Sequence, residues 1–449
     1  MGPATPVSRG DRPLAEPWVA MPLAPELEEG VFRTCTLQRY TKRTDIKRFE
    51  VTGEFVAYAS PDSTYAVTRR LIDGARASIL IGIYDFNTEY MRDLLTAAIG
   101  RGVKVSLMLD IDSPQEQVIF DALTAAGAKA VEAPSCASRH LHVFRSSHEK
   151  VIVIDGEWTL VQSGNYTKAS IPKNPVDGGG SGFLTGNRDM GVAVRSRELA
   201  AFFTSVLHAD IKLELDAEAS EVPELPAARL SAIIMAEKAS APPLKLFPSL
   251  RLQPQQPISL LPVLTPDNYV AEVGRWLSNA KRSIWIENQY IKTEHAEIQK
   301  LLGKIGVARK RTPSLDVRLI LAKGFDGGVA VAEAFKALQK AHRLKVGKNL
   351  RILNPKRFDH LHNKLIIVDG TSVLISSQNW SNSAVTENRE AGLLLRSPEL
   401  AQYYASIFEA DWADALQKAP ARRPRRREEE AVLAGIHIGP ADRGDYAEV

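Results

Sequence analysis

Apolar residues in this chain fall in short unbroken blocks. Ile79 to Tyr84 and Val103 to Leu109 are two of them, and blocks of that length predict strands buried on both faces. The segments between and after, Tyr90 to Arg101 and about Gln115 to Ala126, predict helices, and another apolar strand begins near residue 150. Strand and helix alternate, which is the signature of a layered α/β unit with a mixed or parallel sheet flanked by helices.

The pattern occurs twice. Pro61-Asp62, a helical run and Ser78-Ile79-Leu80-Ile81 are answered 205 residues on by Pro266-Asp267, a similar run and Ser283-Ile284-Trp285-Ile286. His148-x-Lys150 and Asp155 return 214 residues on as His362-x-Lys364 and Asp369. Asn187-Arg188-Asp189 returns 201 on as Asn388-Arg389-Glu390, each followed by an apolar strand and a helix ending in Ala-Asp, at Ala209-Asp210 and Ala410-Asp411. The changing offset locates two insertions. One precedes the second motif, in a basic loop around Arg309-Lys310-Arg311; the other follows the first, in Pro172 to Gly186, where Gly178, Gly179, Gly180 and Gly182 predict a mobile loop. The expected organisation is an extension over 1–50, a first domain over 51–220, a Pro-rich linker over 221–258, a second domain over 259–418 and a charged tail over 419–449, with a helix possible in Ala227 to Lys238.

Composition changes little. A length of 449 residues calls for two cores, a net charge of +4 gives no strong sign of a nucleic-acid-binding face, and two cysteines, Cys35 and Cys136, exclude a disulfide scaffold and are expected as free thiols. No stretch is apolar for the ~20 residues a membrane span needs, and residues 1 to 29 carry Pro, Arg, Asp and Glu where a signal peptide would be apolar, so the expected location is cytoplasmic.

In a strand, residues two apart share a face, so His148 projects with Lys150 and His362 with Lys364. Packing the halves about a pseudo-twofold axis brings two imidazoles and two ammonium groups to one anionic group, which suits a phosphodiester. One histidine attacks phosphorus, the other protonates the leaving oxygen and later activates water or an alcohol, and the lysines neutralise non-bridging oxygens. This chemistry requires no metal or cofactor. Ser163-Gly164-Asn165 and Ser377-Gln378-Asn379 stand at one spacing from their histidines, and Ser163, Asn165, Ser377 and Asn379 are candidate phosphate ligands. Asp189 and Glu390 are candidates to hold the far ring nitrogen of the histidine in their own copy. His140 with His142, and His360 with His362, lack further ligands for a metal site. Tyr84, Gln289, Tyr290, Trp158, Tyr166 and Trp380 lie near predicted strand ends, where such side chains are more often core than cleft.

The blocks HEKVIVIDGEWTLVQSGN and HNKLIIVDGTSVLISSQN resemble the paired HKD motifs of the phospholipase D superfamily, and the resemblance extends from about Val56 to Ala415. It implies two similar phospholipase D-like α/β domains with one active site between them, His148 as nucleophile and His362 as general acid and base. Asp155 and Asp369 complete the motifs, and the resemblance gives them mostly structural hydrogen bonds. Two departures stand out: Gln162 and Ser376 replace the small residue before Ser-x-Asn, and the first acid is Asp189, a methylene shorter than Glu390. Ile286-Glu287-Asn288-Gln289-Tyr290 resembles a phospholipase D segment and favours a phospholipid substrate, with peripheral membrane contact, hydrolysed or transferred to another alcohol. The basic run at 309–311 and the Arg-rich tail speak for the alternative, a nuclease acting on DNA or RNA. Both half-sites lie in one chain, so a monomer suffices.

Overall fold

The computed structural model describes residues 37–138, 140–173, 185–218, 241, 244–324 and 328–418. The Gly-rich insertion, the segment 227–238 and the tail fall outside them, apart from the edges of the insertion. The first half runs β1 (Phe49–Val51), β2 (Phe55–Ser60), α1 (Thr64–Asp73), β3 (Ser78–Ile83), α2 (Glu89–Gly100), β4 (Lys104–Leu109), α3 (Pro114–Ala125), β5 (Lys129–Glu132), β6 (Lys150–Ile154), β7 (Trp158–Gln162), β8 (Asp189–Arg195) and α4 (Arg197–Glu218). After β9 (Leu250–Leu252), the second half runs β10 (Ile258–Thr265), α5 (Tyr269–Ser278), β11 (Ser283–Asn288), α6 (Ala296–Arg311), β12 (Asp316–Leu321), α7 (Val329–His342), β13 (Leu350–Ile352), β14 (Lys364–Val368), β15 (Ser372–Ser376), α8 (Asn382–Thr386), β16 (Glu390–Arg396) and α9 (Pro398–Asp414). The four elements predicted from apolar blocks and helical runs in the first half appear within about a residue of their expected ends.

Two mixed eight-stranded sheets result, ordered β5-β4-β3-β6-β7-β8-β2-β9 and β1-β10-β16-β15-β14-β11-β12-β13. In the first, β3, β4 and β5 are parallel while β6, β7, β8 and β2 pair antiparallel; the second repeats this with β11, β12 and β13 parallel. Each sheet takes its outermost antiparallel strand from sequence beyond its own half: β1 pairs with β10, and β9, inside the Pro-rich passage, pairs with β2.

The motif strands are buried throughout, and their period-2 alternation feeds two cores. Ile152 and Ile154 pack with α1, α2 and α3, whereas Val151 and Val153 join a central cluster that also takes Leu365 and Ile367 from β14. Helices α4 and α9 complete that central layer through Phe203, Leu207, Tyr404 and Phe408, so one apolar core is common to both halves. Burying the strands on both faces explains why they read as unbroken apolar blocks.

Two expectations need correcting. Cys136 is disulfide-bonded, not a free thiol, while Cys35 lies outside the described residues; a count of two cysteines cannot reveal whether their α-carbons come within bonding range. The basic run at 309–311 is the last turn of α6, not a loop. There the Arg309 guanidinium donates to the His342 carbonyl and Arg311 donates to the Ala280 carbonyl at 2.7 Å. Among the described residues, no helix is long and apolar enough to cross a membrane.

Candidate active site

The strands begin at the lysines, and each histidine lies just ahead of its strand, held by the other half. His148 N donates to the Arg389 carbonyl (2.8 Å) and Arg389 N to the Ser146 carbonyl (2.8 Å). The second motif mirrors this: His362 N donates to the Arg188 carbonyl (3.1 Å) and Arg188 N to the His360 carbonyl (2.8 Å). Each imidazole is thereby laid beside the acid that opens the opposite half's last strand. His148 Nδ1 lies 2.9 Å from both carboxylate oxygens of Glu390, and His362 Nδ1 lies 2.9 Å from Asp189 Oδ1. The acids therefore serve the opposite histidines, not those of their own copies.

The two rings are 6.5 Å apart between centroids. With both Nδ1 atoms facing carboxyl groups, Nε2 is the ring nitrogen left to each. Rings this close together can both act on one phosphoryl group, one on phosphorus and the other on the leaving oxygen. Both lysine Nζ atoms fold back to the carbonyl of the histidine in their own motif, and Lys364 Nζ also lies 3.5 Å from Gln289 Oε1.

Burial governs the charges. It drives the His148 pKa well below that of a free imidazole, helped by Lys150 and Lys364, and brings His362 down to about 4, with Lys364 contributing. It also lowers Lys150 to about 8 and Lys364 to about 7. The acids diverge: burial raises Glu390 to about 8 against the pull of Lys150, whereas for Asp189 burial is outweighed by His362, Lys364 and the Ser163 hydroxyl, and the net shift is downward.

The antiparallel register of β6 with β7, Val151 opposite Val161, brings the turn after Gln162 level with His148, and β14 with β15 repeats the arrangement. The turn's two polar residues have different roles. Ser163 Oγ donates to Asp189 Oδ1 (2.7 Å) and accepts from Met190 N (3.0 Å), while Ser377 Oγ accepts from Ala391 N (3.0 Å), so both hydroxyls hold the acid-bearing strand. The amide oxygens of Asn165 and Asn379 are buried without a hydrogen-bond partner among the described residues. An amide's two ends exchange on a flip, so either asparagine can present its NH2 to a phosphate oxygen. Gln162 is turned away, accepting from the Tyr58 hydroxyl (3.0 Å) and donating to the Gly164 carbonyl (2.7 Å).

Asp155 and Asp369 lie at the far ends of the motif strands, some ~17 Å from the lysines at strand rise. Asp155 accepts from the backbone N of Arg76, Ala77 and Ser78, and Asp369 from that of Lys281, Arg282 and Ser283. The structure places them in the turns that set the strands and not beside the imidazoles. Of the aromatic and amide candidates, Tyr84 meets His148 and Gln289 meets Lys364; Trp380 donates to the Tyr269 hydroxyl and Tyr166 packs edge-on to Phe86 in the core. His142 Nε2 lies 3.1 Å from the Ser138 carbonyl.

Sequence reasoning found the remaining repeated landmarks without giving them work. Arg188 binds Asp62 of its own half and Asp411 on α9 of the other, and Arg389 binds Asp267 of its own half and Asp210 on α4 of the other. Their strict recurrence was the signal. Both guanidiniums are buried, and each adjoins the acid that faces a histidine.

The family model described as "Cardiolipin synthase, PLD-like domain" matches residues 68–211 and 274–412, once in each half. The mitochondrial cardiolipin hydrolase of Chlamydomonas reinhardtii is 33% identical over 63 residues, a match spanning 14% of this chain and 28% of that protein's length. The phosphatidylserine synthase structure from Haemophilus influenzae Rd KW20 superimposes with a TM-score of 0.59 at 14% identity, covering 90% of this chain and 98% of its own, and so has the same fold. The phospholipase D family member Nuc from Salmonella typhimurium covers 35% of this chain and 93% of its own, at 23% identity and a TM-score of 0.29.

Proposed function

The chain belongs to the phospholipase D superfamily, whose members act on phosphodiesters, and on that premise we propose that it cleaves a phospholipid through a phosphohistidine on His148. The observation that carries this reading is the facing pair of imidazoles, 6.5 Å apart, each with a carboxyl group on Nδ1 and a lysine two residues on.

His148 is neutral, its pKa held well below that of a free imidazole by burial, and its Nε2 lone pair is available for attack. His362 faces Asp189, which stays ionised and supports an imidazolium once an anionic phosphate enters, so His362 gives the proton to the leaving oxygen. It then takes the proton from water or an alcohol, whose oxygen attacks phosphorus and releases His148. Lys150 and Lys364, with the amides of Asn165 and Asn379, balance the charge that gathers on the non-bridging oxygens.

Three observations support a lipid over a nucleic acid. Arg309 and Arg311 already bind backbone carbonyls, leaving less cation for a polyanion. Beside the first half-site, Asp85 and Asp112 stand at the ends of β3 and β4, where a groove for a phosphate-rich strand would carry cations. The family model and the curated relative are both described by cardiolipin. The test is mass spectrometry of mixed phospholipid vesicles incubated with the protein in EDTA and ethanol, beside His148→Ala and His362→Ala. Phosphatidylethanol from wild type alone is the expected result. Cleavage of an oligonucleotide with no lipid product would transfer the reading to a nuclease.

A further inference from the structure

We propose that Tyr84 is a positioning residue of the first half-site, holding both His148 and Lys150 in place with its ring, where the equivalent Gln289 of the second half-site meets only the lysine. The correspondence follows from register. Ile83 pairs with Lys150 at the end of β3 and Asn288 with Lys364 at the end of β11, so Tyr84 and Gln289 are the next residues on equivalent strands. The Tyr84 ring lies 4.8 Å from the His148 ring, tilted by 59°, and Lys150 Nζ stands 5.2 Å from its centroid. Gln289 instead offers Lys364 an oxygen at 3.5 Å.

Tyr84 is itself fixed from behind. Its hydroxyl donates to Asp112 Oδ2 at 2.9 Å, and Asp112 N donates to Glu116 Oε2 at 3.0 Å in the first turn of α3. An aromatic face attracts an ammonium without offering it a charge or a lone pair to share, so Lys150 is oriented and its charge remains available to the phosphate. Packed against the imidazole, the same ring excludes water and limits ring rotation, which is how a neighbour that touches no substrate raises the fraction of reactive geometry. A glutamine cannot do both, since its one acceptor can hold a lysine but presents no face to an imidazole.

This inference rests on the reading that His148 is the nucleophile, and two readouts on the full-length protein keep the two apart. In spectra of histidine-labelled protein, the ring protons of His148, identified by their loss in His148→Ala, are expected to carry a ring-current displacement that persists in Tyr84→Phe and disappears in Tyr84→Gln. With bis(4-nitrophenyl) phosphate and phospholipid vesicles as probes, Tyr84→Gln is expected to lower kcat ~10-fold with KM within about twofold, and Tyr84→Phe to stay within about threefold of wild type. Tyr84→Leu, which fills the space without a π face, gives the same reading if the glutamine variant does not fold. A Tyr84→Gln protein with unmoved His148 signals, or with wild-type kcat, overturns the proposal. Wild type that turns over neither probe removes the functional reading, while the spectra still decide the contact.

Discussion

The two half-sites share a strand, a Ser-x-Asn turn and a backbone crossing, yet His148 and His362 do not stand in equal surroundings. The His148 side chain is 5% exposed, bracketed by Glu390 and the Tyr84 ring; that of His362 is 12% exposed and faces Asp189, with Gln289 at the position equivalent to Tyr84. Duplication supplied two imidazoles, and divergence around them separated their surroundings, a glutamate and a tyrosine ring beside one and an aspartate beside the other. The largest expected effect tests that separation. Both His148→Ala and His362→Ala should lose ~10⁴-fold in kcat on phospholipid. On a phosphodiester with a 4-nitrophenolate leaving group, which needs no proton, His362→Ala should still release one burst of nitrophenolate and accumulate a phosphohistidine detectable by mass spectrometry. A burst from His148→Ala in its place would reverse the roles.

Next in size is the pair of buried arginines. Arg389 binds Asp210 and Asp267, accepts the face of Phe144 and donates to Tyr40, whereas Arg188 binds Asp62 and Asp411 over Phe358. Removing either leaves two carboxylates without their cation in the core, a loss of ~3–5 kcal/mol. Urea melts of Arg389→Ala and Arg188→Ala should show it, and Asp210→Asn added to Arg389→Ala should restore part. A loss below ~1 kcal/mol would mean that water replaces the guanidinium.

What the sequence could and could not show follows from range. Strands buried on both faces keep their apolar blocks, and a repeated His-x-Lys is visible because its members are close in sequence. The pairing of His148 with Glu390 spans 242 residues, and a local reading naturally gives each acid to its own copy; only the backbone crossing at Arg389 and Arg188 reverses it. A second exchange is hidden for the same reason. The first half places a buried carboxyl group on its motif strand lead-in, at Glu149, whose side chain lies over Gly82, where a β-carbon would come within 2.5 Å of Leu207. The second half places it on β11, at Glu287, bonded to Asn363 at 3.1 Å. Residue 82 and residue 287 correspond at one offset, 149 and 363 at another, so the swap shows only once the strands are paired.

The acids come third. Asp189 stays ionised and Glu390 is raised to about 8, so Asp189→Asn removes a charge and Glu390→Gln replaces a group already neutral at pH 7. Losses in kcat of ~100-fold and ~10-fold respectively are expected. The folded-state pKa of Glu390 lies above its unfolded value of ~4.3, so its stabilising proton is fully effective below that pH and lost as pH rises through about 8. Glu390→Gln should therefore gain on wild type in Tm from about pH 5 to 8. An unchanging difference across that range would count against the protonated carboxyl.

The smallest effect falls where the halves agree best. Asp155 and Asp369 occupy the same turn, with φ of 54° and 59°, and each accepts three consecutive backbone N–H groups, which fixes the start of β3 or β11 against the end of its motif strand. Asn tolerates that left-handed backbone, so Asp155→Asn weakens the acceptor without straining the turn. A loss of ~1 kcal/mol is expected, because water reaches the freed donors. Burial acts to raise the Asp155 pKa, but the Ser78, Ala77 and Arg76 donors outweigh it and the net shift is downward. Its stabilisation is therefore present above the unfolded pKa of ~3.9 and fades as pH falls through the folded value, so the gap in Tm between wild type and variant should close below about pH 4. Well below its melting temperature, the variant should keep wild-type kcat and KM. Lost turnover at unchanged Tm would instead give the third residue of the motif a part in the chemistry, although its carboxylate is committed at the opposite end of the strand.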